Sequence, residues 1–515
     1  MTHQFSRVPS AQIPRSSFDR SHGLKTTFNA DDLVPVFVDE VIPGDTLNLR
    51  MTGFARMATP LKPLLENIFM ESFFFFIPNR LVWENWQKFN GEKSSPGDTT
   101  DYTIPKQGGS QWQANSLGDY FGLPIGKVLP PFNQLPFRAY ELVWNEWFRD
   151  QNLQAEVNFS RGDSASPAIT TVRKRGKRHD YFTSCLPWPQ KGDTVNLPLG
   201  TSAPVRTDPS VTNDTLMRIS TADDSGYFQV QKRNADNLTE FSGPAGSSGV
   251  PGLITDLSQA SAATINELRQ AFQIQRMQER DARGGTRYTE IIRAHFGVIS
   301  PDARLQRPEF LGGGTSMVNI NQVEQTSATQ STGDDASPQG NLAAYGTATL
   351  NGHGFTRSFT EHGYVIGLIN VRADITYQQG MERMWSRTTK YDFYWPALSQ
   401  IGEQAVLSKE IFVADEAADE QVFGYQERHA EYRYKPSRIC GSFRSDHTAS
   451  LDPWHLSQHF ANRPTLNSEF ITSDTPMQRV KAVANEPDFL FDAYFKYKCA
   501  RPMPVHGVPG MIDHF

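Results

Sequence analysis

Residues 71–78 read Glu-Ser-Phe-Phe-Phe-Phe-Ile-Pro. Successive side chains of an extended chain point to opposite faces, so Phe73 and Phe75 share one face and Phe74 and Phe76 the other. Both faces are apolar, and such a strand must be covered on both sides. One cover is the interior of a sheet sandwich; the other has to come from an insertion or a neighbouring subunit. Upstream, LVPVFVDEVIPGDTLNLRM (33–51) reads as strand material broken at Pro43-Gly44. Downstream, GYVIGLINVRADITYQ (363–378) alternates: Val365, Ile369, Val371, Ala373, Ile375 and Tyr377 on one face, and Asn370, Arg372, Asp374, Thr376 and Gln378 on the other. That pattern predicts a long half-buried strand. A shorter alternation in HAEYRYK sets Ala430, Tyr432 and Tyr434 against Glu431, Arg433 and Lys435.

Helices and loops fill the intervals. RAYELVWNEWFR (138–149) carries Tyr140, Val143, Trp144 and Trp147 at helical spacing. A helix is expected over about 258–281, with Ile265, Leu268 and Phe272 as its apolar stripe. Another is expected over 287–296, closed by Gly297. Residues 192–257 are rich in Gly, Pro, Ser, Thr, Asn and Asp, and predict an inserted, surface-projecting module. Residues 312–345 predict a long loop. Residues 1–30, with Arg7, Arg15, Arg20 and Lys25, predict a mobile N-terminal arm. The proline-spaced end RPMPVHGVPGMIDHF predicts an extended C-terminal arm over 499–515. The remaining segments, 31–191 and 258–498, then hold the core strands and helices. Loops this long are uncommon in a compact monomer and make sense if they rest on other copies of the chain.

Composition narrows the class. The chain has 515 residues, enough for a sizeable core, and its net charge of −6 makes bulk neutralisation of nucleic acid unavailable. Three cysteines, far apart and without a CxxC, argue against a disulfide framework or zinc ribbon and for a reducing compartment. The opening MTHQFSRVPS has no apolar core, so no signal peptide is expected, and no window approaches a membrane span.

Several stretches resemble the major capsid protein of gokushoviruses, small single-stranded DNA phages of the microvirus family. They are RSSFDRSHGLKTTFNA (15–30), LVPVFVDEVIPGDT (33–46), HDYFTSCLPWPQKG (179–192), ARGGTRYTEIIRAHFGV (282–298) and SPDARLQRPEFLGGG (300–314). The likeness continues through GNLAAYG (340–346), TEHGYVIGLINVRADITYQQG (360–380), MWSRTTKYDFYWPAL (384–398), FGYQERHAEYRYKPS (423–437) and PGMIDHF (509–515). It fades over about 193–257 and 445–485. The resemblance implies a mainly β protein, an eight-stranded viral jelly roll with large insertions. It further implies self-assembly into a T=1 icosahedral virion around circular single-stranded DNA, put together in the host bacterial cytoplasm. Implied partners are other copies of the chain, packaged DNA, minor virion proteins and a bacterial surface receptor, with no membrane insertion and no cofactor. The segment 192–257 is then the candidate threefold protrusion, with Leu216, Ile219, Tyr227, Phe228, Val230 and Phe241 as its shared core. Met511, Ile512 and Phe515 are the candidate inter-subunit arm.

Enzyme motifs fail on inspection. Gly122-Leu-Pro-Ile-Gly126-Lys127 is one residue short of a P-loop, and Val128 replaces its Ser/Thr. His455 and His459 stand at i, i+4, as two ligands on a helix would, but without a metalloprotease Glu or a third ligand. Glu361-His362 and Asp513-His514 are adjacent and so point apart on a strand. The acidic run 415–420 lacks calcium-loop spacing and reads as a solvated loop. No catalytic or metal site is expected. The strongest charge signal is Arg173, Lys174, Arg175, Lys177 and Arg178, with Tyr181 and Trp188 nearby. Such a run binds phosphates with release of counterions and offers rings for unpaired bases, or else forms a basic patch against acidic loops of a neighbour. The N-terminal Arg7, Arg15, Arg20 and Lys25 are a second candidate for DNA. A carbohydrate-binding or carbohydrate-active β-sandwich is the alternative from another class, since jelly rolls serve lectins too.

Overall fold

The long alternating segments build the architecture. In this computed structural model the described residues are 14–109, 111–164, 169–193, 195, 265–285, 288–297, 307–327 and 339–506, together with five short strands between 205 and 255. Ten strands form the two large sheets: β1 (Ser16–Asp19), β2 (His22–Phe28), β3 (Val34–Val41), β4 (Thr46–Met57), β5 (Ile68–Pro78), β6 (Glu309–Met317), β7 (Asn319–Glu324), β8 (Leu342–Ser358), β9 (Gly363–Ala373) and β10 (Phe489–Arg501). One sheet runs β1-β10-β4-β8-β7, with β2 also on β10; the other runs β6-β5-β9-β3. Every pairing within them is antiparallel. This is the mainly β sandwich expected of a jelly roll. Its strands number ten among the described residues, and β1 and β2 take successive stretches of the same β10 edge.

The core lies between the sheets. Along β4, Leu47, Leu49, Met51, Ala55 and Met57 point in, while Arg50, Thr52, Phe54 and Arg56 point out. Along β10, Phe489, Phe491, Ala493, Phe495, Tyr497 and Cys499 do the same. They meet Phe74 and Phe76 of β5 and Val365, Ile369 and Val371 of β9 in one cluster. The second face of β5 is covered from within the chain. Phe75 lies 5.3 Å from Trp147, 5.9 Å from Phe148 and 5.5 Å from Phe310, ring centre to ring centre. Helix α1 (Leu135–Val143) adds Phe137, Tyr140 and Leu142 to this second cluster, and Trp144–Phe148 extends it as one π-helical turn. Phe74 is fully buried. Phe74→Ala should therefore cost about 3–5 kcal/mol in urea unfolding, and a loss below about 1 kcal/mol would mean the site collapses around the gap.

Several expectations need correction. The strand β9 is buried on both faces, because Ile366 and Leu368 enter the second cluster and Asn370 is fully enclosed. Of the described residues between 312 and 345, most are strand, not loop. Gly312–Gly314 belong to β6, where a Cβ on Gly313 would stand 2.0 Å from the Ser72 carbonyl oxygen, and one on Gly312 2.5 Å from that of Gly354. Glycine there serves close backbone approach rather than flexibility. HAEYRYK does not form a strand: His429 is left-handed (φ 60°) and Ala430–Tyr432 is a 3₁₀ turn. The described part of the N-terminal arm is not mobile but paired, with Phe28 in the core. Strand β10 runs to Arg501, past the expected arm boundary at 499.

Helix α2 spans Ile265–Arg283, and α3 spans Tyr288–Phe296 before Gly297 at φ 70°. The stripe residue Phe272 is exposed. The chain forms two compact units, one holding both sheets and the other Gln190–Asp281, which takes in most of α2 beyond the expected limit of 257. Within the second unit, Met217–Ser220, Tyr227–Lys232 and Thr239–Ser242 form an antiparallel sheet, with Phe228 opposite Ile219 and Val230 opposite Phe241. Leu216 and the C-terminal Met511, Ile512 and Phe515 lie outside the described residues.

Candidate nucleic-acid interface and exposed aromatic surface

The basic run is an extended segment held by backbone hydrogen bonds on both sides. Leu33 N–H donates to the Arg173 carbonyl at 2.8 Å, and Arg175 N–H to that of Asp31 at 2.9 Å. On the other side Lys177 N–H donates to Ile471 at 2.7 Å, and Ser473 N–H to Arg175 at 2.9 Å. Its side chains meet acids from distant parts of the chain. Arg173 pairs with Glu141 at 2.9 Å, Lys174 with Asp474 at 2.9 Å and Arg178 with Asp374 at 3.1 Å. Arg175 pairs with Glu71, which also accepts from Arg372 at 2.8 Å. Burial alone would raise the Glu71 carboxyl, but Arg175 and Arg372 outweigh it and hold it below its ordinary value. The buried Lys177 ammonium sits 4.3 Å from the Phe470 ring centre, and burial pushes its pKa down to about 8.

The N-terminal candidates are also engaged. Arg15 donates to Thr46 Oγ1 at 2.8 Å, Arg20 pairs with Asp39 and lies over Tyr497, and the exposed Lys25 meets Asp492 at 3.3 Å. Arg7 lies outside the described residues. The histidine pair is not on a helix. His455 is buried and bonded to the Phe443 carbonyl at 2.7 Å, while His459 meets Asp446 at 2.9 Å. The acidic run is not wholly solvated: Asp419 is turned inward, accepts from the Ala414 N–H at 3.2 Å and pairs with Arg463 at 2.7 Å. Among the described residues no three His, Cys, Asp or Glu side chains converge as a metal site, and no helix is long and apolar enough to cross a membrane.

Beside the run lies a carboxylate whose environment makes stability pH-dependent. Burial raises Asp32 to about 7, with Lys174 opposing and Asp31 and Asp488 adding to the rise. A raised folded-state pKa contributes stability below the ordinary carboxylate range, and that contribution is lost as pH rises through 7. Asp32→Asn should therefore match the parent at about pH 3, below the unfolded value of 3.8, and exceed it at about pH 8 by up to about 4 kcal/mol in urea unfolding. Equal stability of the two proteins at both pH values would contradict this.

One surface was not singled out by sequence reasoning. Trp385 is 67% exposed, Tyr391 59% and Trp395 53%, with Phe393 and Tyr394 close behind. Several of these rings are held in place. Asp392 accepts from Thr389 N–H at 2.7 Å and Thr388 N–H at 3.0 Å, and these bonds lower its carboxyl to about 2. Trp395 Nε1 donates to the Lys390 carbonyl at 2.9 Å, and Arg387 stacks 4.4 Å over Tyr432. Arg387 pairs with Glu431, Lys435 and Arg438 share Glu382, and the Lys390 ammonium lies 5.0 Å from the Tyr391 ring centre. A patch of aromatic rings with paired charges has the make-up of a protein–protein interface core. Five aromatics within eleven residues without alternation was the available signal.

A β-sandwich whose own core is complete, yet which presents a fixed aromatic surface, is a protein built to associate. A family model described as "Capsid protein (F protein)" matches residues 6–511. The chain belongs to this phage capsid family and is a structural capsid protein of the microvirus type. It is 47% identical over 532 residues to capsid protein VP1 of Bdellovibrio phage phiMH2K, covering 100% of this chain and 98% of the relative. It is 43% identical over 591 residues to capsid protein VP1 of Chlamydia phage 1, covering 99% and 98%. It is 36% identical over 544 residues to capsid protein VP1 of Spiroplasma virus 4, covering 99% and 97%. The gokushovirus resemblance is thereby established, and the carbohydrate-active alternative falls.

Proposed function

We propose that copies of this chain close into a small T=1 icosahedral shell around a circular single-stranded DNA genome, assembling in the host bacterial cytoplasm with minor virion proteins. The exposed aromatic surface at 385–395 carries the reading, with a second copy of the chain as its occupant. Trp, Tyr and Arg are the side chains that anchor protein interfaces. The segment 192–257 is the outward protrusion that meets a bacterial receptor. Ile219, Tyr227, Phe228, Val230, Phe241 and Leu216 supply the core it shares between copies. The C-terminal Met511, Ile512 and Phe515 reach a neighbouring subunit.

Expression of the chain in bacteria, followed by negative-stain microscopy and nuclease-protected DNA analysis, tests this. Uniform particles that protect circular single-stranded DNA are expected; a stable monomer overturns the reading. Replacing 200–250 by a short Gly/Ser linker should spare the shell and abolish adsorption, since both large sheets lie outside that segment. Deleting 507–515 should leave the fold intact, because β10 ends at Arg501, and should impair assembly.

A further inference from the structure

The two large sheets differ on their outer sides. The outer side of the β6-β5-β9-β3 sheet is covered by α1 and the π-helical turn after it. That of the β1-β10-β4-β8-β7 sheet is bare among the described residues: every second side chain of β4 and β10, from Asn48 to Arg56 and from Leu490 to Lys498, is exposed. We infer that this bare face, centred on Arg50, Phe54, Arg56, Tyr494 and Lys496, holds the enclosed single-stranded DNA, phosphates on the cations and bases on the rings. The inference rests on the coat-protein reading and names the surface on which that protein lays its genome.

Three observations carry it. First, the charge on this face is unmatched. Its strands present Lys25, Arg50, Arg56, Lys496 and Lys498 against Asp19 and Asp492. Asp492 pairs with Lys25. Asp19 accepts from the Ser21 hydroxyl at 2.6 Å, and that bond, with smaller help from Lys498 and Lys496, lowers its carboxyl. Among the described residues none of Arg50, Arg56, Lys496 and Lys498 forms an ion pair. A chain with a net charge of −6 thus gathers positive charge on one exposed face.

Second, two of the cations oppose each other. The register sets Arg50 of β4 directly across from Lys496 of β10. Like charges at opposed positions destabilise a sheet, so the fold gains nothing from this pair. An anion lying between them relieves the repulsion.

Third, rings stand between cations. Along the two strands the Arg50–Lys496 pair is followed by Tyr494, then Phe54, then Arg56, in rows about 7 Å apart. Tyr494 is 55% exposed and Phe54 49%. Beside Phe54, Arg56 and Leu490, residues of the 114–122 segment wall a cavity of about 690 Å³, roomy enough for a base. Open sheet faces that combine rings and cations are a recurrent platform for single strands. An acidic loop of a neighbour fits less well. In the run 415–420, Glu416 and Asp419 already pair with Arg463, and Glu420 with Lys409, of the same chain.

The test uses purified full-length chain with a fluorescent oligo(dT), and DNA-filled particles for ultraviolet crosslinking with peptide mapping. All substituted positions are exposed, so the fold is spared. Arg50→Gln combined with Lys496→Gln should lower the slope of log affinity against log salt by roughly 1.4, the release from two phosphates of a single strand. The same variant should keep or raise the urea midpoint, where a structural role would lower it. Tyr494→Ser should weaken oligonucleotide binding about fivefold or more, the loss of one stacked base. Adducts should map to the peptides bearing Phe54 or Tyr494. An unchanged salt slope, or DNA-filled particles with adducts only elsewhere, overturns the inference and leaves the coat reading standing; particles that never enclose DNA overturn the coat reading. Protection of Lys496 and Lys498 from acetylation in DNA-free particles would place a neighbouring subunit on this face and overturn the inference.

Discussion

Replacing Trp385, Tyr391 and Trp395 together by serine is expected to abolish particle formation while the monomer stays folded. Each of these rings is more than half exposed, so its loss removes little from the subunit's own core. Surface changes of that kind usually shift stability by no more than about 0.5 kcal/mol each. At a subunit contact the same rings would bury 150–250 Å² apiece, on the usual scale for aromatic side chains, and act as anchors. Anchors of this type are worth about 2 kcal/mol or more each. Losing even two of them weakens a pairwise contact roughly a thousandfold, and every contact of that class in a closed shell is affected at once. The Asp392 cap remains, so the turn keeps its shape. Size-exclusion chromatography with light scattering, negative stain and circular dichroism decide the outcome. Particles in parental yield would sink the assignment of this surface to assembly.

The second large effect is expected inside the subunit. Glu71→Ala leaves Arg175 and Arg372 facing each other with no carboxylate between them, side chains 16% and 9% exposed. Removing one partner from a buried ionic group typically costs about 3–5 kcal/mol, because the remaining charge stays desolvated. Here two like charges remain. Glu71→Gln keeps a carbonyl acceptor and should cost less. The pH dependence has a definite sign. A carboxyl held below its ordinary value contributes stability above its unfolded pKa of about 4.5, and that contribution is lost as pH falls through the lower folded value. Urea unfolding of parent and variants at pH 7 and pH 3 measures both effects. A change under 1 kcal/mol at pH 7 would show that water or another anion takes over the two guanidiniums.

The contrast between these two sites explains what could be foreseen. Both are charged or aromatic runs, and a run looks the same whether it faces solvent, a neighbour or its own chain. Arg175 meets Glu71 across 104 residues and Arg372 meets it across 301, separations at which no spacing rule operates. The basic run therefore read as a DNA ligand or as a patch against a neighbour's acidic loops, while four of its side chains pair with acids of the same chain. The aromatic run 385–395 had no periodicity to mark it, because it lies on short 3₁₀ turns, the second of them, Lys390–Asp392, capped by Asp392. Glycine misled for a related reason. In Gly312–Gly314 the residue answers to a carbonyl of another strand, and composition cannot tell that from a loop.

The sequence by itself determined the class of fold and the family. Two-face alternation in 71–78 required a sandwich with a further cover, and long strand segments far apart required non-local antiparallel pairing. Periodicity of this kind is a local property, set by the pleat of the chain, so it survives being read without coordinates. The tertiary structure decided what covers the second face of β5, namely α1 with Trp147 and Phe148 and not a second subunit. It decided that β9 is enclosed on both sides and which acids meet the cations of the basic run. These depend on which distant side chains share a space, and desolvation and charge pairing act through space, not along the chain.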